Sequence, residues 1–171
     1  MSELQRRLEK LTLRLDYMGM RCEQAVADAV DAIRAGDVDA GLEVDWKDAA
    51  IDSAEVEIEQ ECIRLLALYQ PAAVDLRTIC TIIKSNNDLE RIADLGANMG
   101  RQVEHLVSAG LTFEESEDFN YLAQKTLNVL NQTIRLLSTR DTSAAKTVIE
   151  SDKMIDKGYA RMVQGLVDDE K

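Results

Sequence analysis

Proline occurs once in the 171 residues and glycine eight times, with two Phe, four Tyr and one Trp. Breakers this scarce, in a chain rich in Leu, Ala, Glu, Asp, Arg and Ile, argue against a turn-rich β architecture and for long helices joined by short loops. Three cysteines, Cys22, Cys62 and Cys80, stand singly with no CxxC. An odd, scattered set is no disulfide framework, and they read as small core residues in a reducing compartment. A single histidine, His105, rules out Ser/His/Asp or Cys/His catalysis and the paired Glu-x-x-His motifs of di-iron bundles. His105 itself reads as a polar surface residue. No glycine-rich loop follows a strand pattern, so nucleotide cradles are unsupported. No run approaches a membrane span, and the N-terminus MSELQRRLEKL lacks an apolar signal region, which predicts a cytoplasmic address. Basic residues are in deficit: 20 Lys and Arg against 32 Asp and Glu give a formal charge of -12. Such a field repels phosphate backbones and anionic lipid, disfavouring nucleic acid and favouring cations or basic protein patches as partners.

What is present is helical periodicity, in a chain long enough to bury an apolar core as one domain or two small ones. Leu4, Leu8, Leu11, Leu15, Met18, Cys22, Val26, Val30 and Ile33 recur at steps of three and four, predicting a helix over 3–35 that Gly36 stops. Asp37 suits the N-cap of a second helix carrying Leu42, Ile51, Ile58, Cys62, Leu65 and Tyr69, which ends at Gln70 and Pro71. Pro71 fits the first turn of a third helix with the stripe Leu76, Ile79, Ile83, Asn86, Leu89, Ala93, Ala97, Gly100 and Val103. Beyond Ala93 the stripe is small residues except for its last, so another helix can approach there closely. Gly110 is a candidate C-terminal cap, and Thr112 with Glu115 has the spacing of a capping box for a fourth helix bearing Phe119, Leu122, Leu127, Leu130, Ile134 and Leu137. A fifth is expected after Asp141, with Val148, Ile155, Met162 and Leu166. Trp46 is expected to be partly buried packing or a contact patch.

The two halves repeat at a constant offset of 104 residues: Ile33 falls on Leu137, Val44 on Val148, Asp48 on Asp152, Ile51 on Ile155 and Asp52 on Asp156. The expected fold is therefore an all-α bundle, with a three-helix unit over 1–110 and a second unit over 111–171 that has two helices only. Leu130, Ile134, Ile155 and Met162 would then lack a third helix to cover them, and exposed apolar stripes find partners, so a homodimer or an exchanged hairpin is expected.

Asp48 and Asp52 lie four apart on the second helix, and Glu90 and Asp94 four apart on the third. Such spacing stacks side chains on one face, with Cβ atoms about 6 Å apart. Were the pairs to face each other, four carboxylates would converge as a hard-oxygen site for iron, manganese, magnesium, calcium or zinc. About six acid pairs of this spacing would arise by chance in so acidic a chain, so a lone pair means nothing. These pairs rise above chance because the repeat keeps one of them in register as Asp152 and Asp156, and the other adjoins the small-residue stripe. Asn87, Glu90, Asp94 and Asn98 continue an oxygen-bearing row. The alternative is a solvated face, or one salt-bridged by Arg77, Lys84 and Arg91.

The run from Asp48 to Met99, with Asp48 and Asp52, CIRLLALYQP over 62–71, and Glu90 with Asp94 inside DLERIAD, resembles the signature of the PhoU family. The likeness continues through ESDKMID, which carries Asp152 and Asp156. Ala93 stands where that family usually has glycine, and a sixth helix with its second ExxxD motif is missing. The resemblance implies one complete metal site at Asp48, Asp52, Glu90 and Asp94, with Asn98 beside it, and a half-site at Asp152 and Asp156, taking divalent or trivalent iron, zinc, manganese or magnesium. It also implies a non-enzymatic negative regulator linking a phosphate ABC transporter ATPase to a phosphate sensor histidine kinase at the inner face of the membrane. Related domains sit on sodium/phosphate cotransporters, and a structural interaction domain without metal is the plain alternative.

Overall fold

The computed structural model describes residues 1–139 and 143–169, and it contains five helices and no strand among them. Helix α1 spans Glu3–Ala35, α2 Val38–Tyr69, α3 Ala73–Ser108, α4 Glu117–Thr139 and α5 Ala145–Asp169. The first two boundaries follow from local chemistry. Ser2 and Gln5 form a reciprocal capping box, and Gly36 closes α1 in the left-handed conformation at φ 61°. Asp37 caps α2 by accepting from the Ala40 N–H at 3.0 Å.

Other starts differ from the sequence expectation. Pro71 lies in the turn before α3, not in its first turn, and Ala72 takes the N-cap position with no side-chain hydrogen bond. Helix α4 begins after Ser116, whose Oγ accepts from the Phe119 N–H at 3.1 Å. The Thr112 and Glu115 pair forms no capping box because both precede the helix, and Glu115 pairs with Arg34, 3.2 Å from its guanidinium. Asp141 lies outside the described residues, as does the Leu166 side chain.

Helices α1, α2 and α3 pack pairwise, α4 packs on α1, and among the described residues α5 packs on α4 alone. The core draws on all of the first four: Leu8, Leu11, Leu15, Met18 and Cys22 from α1, Ile51, Ile58 and Leu65 from α2, Ile79, Ile82 and Leu89 from α3, and Leu130 and Ile134 from α4. Each large aliphatic side chain buried this way contributes about 1.5–3 kcal/mol. Leu130 and Ile134 are thus covered by α1 and not left bare, and Ile155 and Met162 are half-buried. The third stripe is also shifted at its start: Ile82 is buried, whereas Leu76 is exposed. Cys22 and Cys62 are core residues but Cys80 is exposed. Trp46 is 75% exposed, so it is surface and not packing, and His105 is exposed in the last turn of α3.

The small-residue stripe permits two close approaches. A Cβ on Gly41 would stand 2.5 Å from the carbonyl oxygen of Gly100, and one on Gly100 would meet the carbonyl of Gly41. A Cβ on Gly96 would lie 3.3 Å from the backbone of Ala25. Backbones of α2 and α3 therefore touch at one end of their shared length, with α3 also held against α1. This contact sets the separation of everything that faces across the α2–α3 seam.

Candidate metal centre

Along that seam α2 and α3 run antiparallel, so residues pair in reverse order. Gly41 meets Gly100 and, further along, Glu55 meets Asn86, while the long side chain of Arg101 reaches across to Asp45. Between these fixed points lie Asp48 and Asp52 on α2 and Glu90 and Asp94 on α3. The four carboxylates that spacing singled out are therefore brought to one seam.

Electrostatics show how closely they crowd. The Asp48 carboxyl is pushed up from 3.8 to about 6, chiefly because burial strips its water, and then because Asp52, Asp94, Glu90 and Asp45 surround it with like charge. Its Oδ1 is buried with no hydrogen-bond partner. Leaving a buried acceptor unmatched costs on the order of 1–3 kcal/mol, so the atom fits a cation or an added donor. Behind the seam, the Cys22 Sγ donates to the Leu89 carbonyl at 3.2 Å, and its thiol is pushed up to about 12 by burial, with Asp48 and Glu90 adding to the shift.

Glu55 belongs to the same row, although the sequence reading passed over it. Burial raises its carboxyl, with Glu59, Glu90 and Asp52 adding to the shift. Asn86, 1% exposed, donates from Nδ2 to the Glu55 carbonyl at 2.9 Å and to its carboxylate at 3.4 Å, while its own Oδ1 has no partner. Glu55 stands three residues beyond Asp52, a spacing that could have signalled it. At the opposite end the cation is Arg101, not Arg77, Lys84 or Arg91. Among the described residues those three pair with none of the row, whereas Arg101 bonds Asp45 and Asn98 and comes within 3.9 Å of Asp94.

Two features limit the set. Among the described residues no three His, Cys, Asp or Glu side chains close on a single point as a ready-made ligand group. They stand as a row: Asp52, Asp94 and Asn98 are exposed, Glu90 half-buried and Asp48 half-buried. Asp152 and Asp156 are both exposed on α5, which touches only α4, so no acid of another helix faces them among the described residues.

The PhoU-domain family model matches residues 15–103, more than half of the chain and the whole of the acid seam. The chain belongs to the PhoU family. Curated relatives agree. A phosphate-specific transport system accessory protein PhoU homolog of Rhizobium meliloti (strain 1021) is 32% identical over 98% of this chain and 70% of its own length. A protein of the same description from Aquifex aeolicus (strain VF5) is 32% identical over 96% of this chain and 74% of its own. Among solved structures, PhoU from Pseudomonas aeruginosa superposes with a TM-score of 0.91 at 31% identity, over 96% of this chain and 79% of that one. The phosphate transport system regulatory protein PhoU from Streptococcus pneumoniae gives 0.87 at 26% identity, over 99% and 81%. The all-helical bundle is thus a PhoU bundle. No described helix is long and apolar enough to cross a membrane.

Proposed function

We propose that the protein is an accessory regulator of phosphate transport in which divalent or trivalent cations bind along the α2–α3 seam and fix the bundle that its partners meet. The transport role is supported by the accessory and regulatory proteins it resembles over nearly its whole length. The metal role rests on one observation above the rest, the buried, unpartnered Oδ1 of Asp48 amid four other carboxylates. Asp48, Asp52, Glu90 and Asp94 would hold the cation, with Asn98 and Glu55 at the two ends of the row. An all-oxygen set suits iron, manganese or magnesium and tolerates zinc. Bound there, a cation supplies neutralising charge and a crosslink between α2 and α3.

The partners expected for such an adaptor are the transporter's ATPase subunit and a phosphate sensor kinase. It would meet them at the cytoplasmic face of the membrane through protein contacts, because a charge of -12 keeps it off anionic lipid and nucleic acid. The geometry supports no catalytic assignment: the row offers no nucleophile with a base beside it. A second arrangement, a metal-free interaction domain, draws on the open form of the row and the exposure of Asp52 and Asp94.

The two readings part on metal content. Protein purified without added metal and then titrated with Mn2+ should bind it, and the double variant E90A/D94A should not. Equal uptake by both proteins, or none by either, rejects the seam as the site and leaves the interaction domain.

A further inference from the structure

Arg101 occupies a place in the acid seam that the metal reading does not explain. It extends from α3 about two turns beyond Asp94, bonds Asp45 on α2 and Asn98 on its own helix, and stands 3.9 Å from the Asp94 carboxylate. Among the described residues it makes the one ion pair that crosses from α2 to α3; the other pairs between helices join α1 to α2 or α1 to the segment before α4. Its guanidinium therefore touches two of the expected cation ligands, Asp94 and Asn98, and neutralises a third acid, Asp45, whose charge also reaches Asp48.

Two cations cannot share Asp94 cheaply. A metal ion on that carboxylate would sit a few ångströms from a fixed positive charge on a partly exposed side chain, and the repulsion counts directly against binding. Arginine is suited to the role because it never deprotonates and its planar fork can hold Asp45 and Asn98 while releasing Asp94.

We propose that Arg101 is the built-in counter-ion of the seam: it balances Asp45 and Asp94 while the row is empty, gives Asp94 up when a cation arrives, and so lowers the affinity of the site without supplying a ligand. This rests on the metal reading above. Arg101 is a positioning residue here, and its charge makes loading reversible where a purely acidic row would hold a cation tightly.

The test compares the full chain with R101Q and R101K by calorimetric titration with Mn2+ after chelator treatment, together with melting temperatures with and without the ion. R101Q should bind Mn2+ about tenfold more tightly, because one opposing charge is gone from the row. It should also melt below wild type when cation-free and draw level when Mn2+ is saturating. R101K, which keeps the charge, should bind as wild type does. A role in packing alone would make R101Q bind no better, or make R101K tighten binding as much as R101Q, and either result overturns the inference while wild-type uptake and its loss in E90A/D94A leave the metal reading standing. No Mn2+ uptake by wild type or R101Q overturns both.

Discussion

Asp48 is the residue on which the seam's electrostatics turn, and its titration gives a testable sign. Its folded value of about 6 lies above the usual 3.8, so the folded protein holds that proton more tightly than the unfolded chain. The stabilisation is complete below the unfolded value and is lost as pH rises through about 6. With chelator present, D48N should therefore melt above wild type at pH 7.5 and close to it at pH 4; an equal gap at both would show that Asp48 titrates normally. Because ligation needs the ionised form, Mn2+ uptake should fade below about pH 6 instead of near 4. Sequence spacing found Asp48, Asp52, Glu90 and Asp94 through the repeat and the family run. It left out Glu55, although that residue lies three beyond Asp52, and it could not find Arg101, because whether a side chain at a given turn points into the seam depends on the register of α2 against α3. That register is a property of two helices and is written in neither alone. Cys80 went wrong for a similar reason, since a small apolar residue fits a stripe on paper whichever way the face turns.

At the scale of elements, the Gly41–Gly100 contact is the tightest constraint in the bundle. A methyl group at Gly100 would meet the Gly41 carbonyl, and backbone cannot swing aside as a side chain can. G100A should cost about 1–3 kcal/mol in chemical denaturation. By prising α2 from α3 it should also weaken Mn2+ binding although no ligand is changed. Normal stability and normal affinity in G100A would mean that the helices adjust freely. The small-residue stripe announced such an approach in advance, and the spans of α1 and α2 were legible to within a residue because Gly36, Asp37 and Gln70 act locally. The start of α4 was not. Thr112 and Glu115 have the right spacing, but the helix starts beyond both, with Ser116 at its cap and Glu115 paired to Arg34, far away in sequence. Leu76 and Ile82 teach the same lesson, since a long helix can keep its period while the burial of its first turns shifts.

Over the whole molecule the packing is lopsided. Helix α3 is clasped by α1 and α2, whereas among the described residues α5 leans on α4 only. Local opening follows the number of apolar contacts, so hydrogen exchange should run faster in α5 than in α3, with the midpart of α3 exchanging last. Protection of α5 equal to that of α3 in dilute solution would instead indicate that a second copy covers it. Because α2 and α3 run in opposite senses, their peptide dipoles oppose, and the acid row sits near the middle of both, many residues from either amino end. The field of a helix terminus fades within a turn. The backbone thus offers these carboxylates no relief of its own, and among the described residues one guanidinium at the rim balances them; on the proposed reading the rest comes from the surrounding solution, which would tie the spacing of α2 and α3 to the ionic make-up of the compartment.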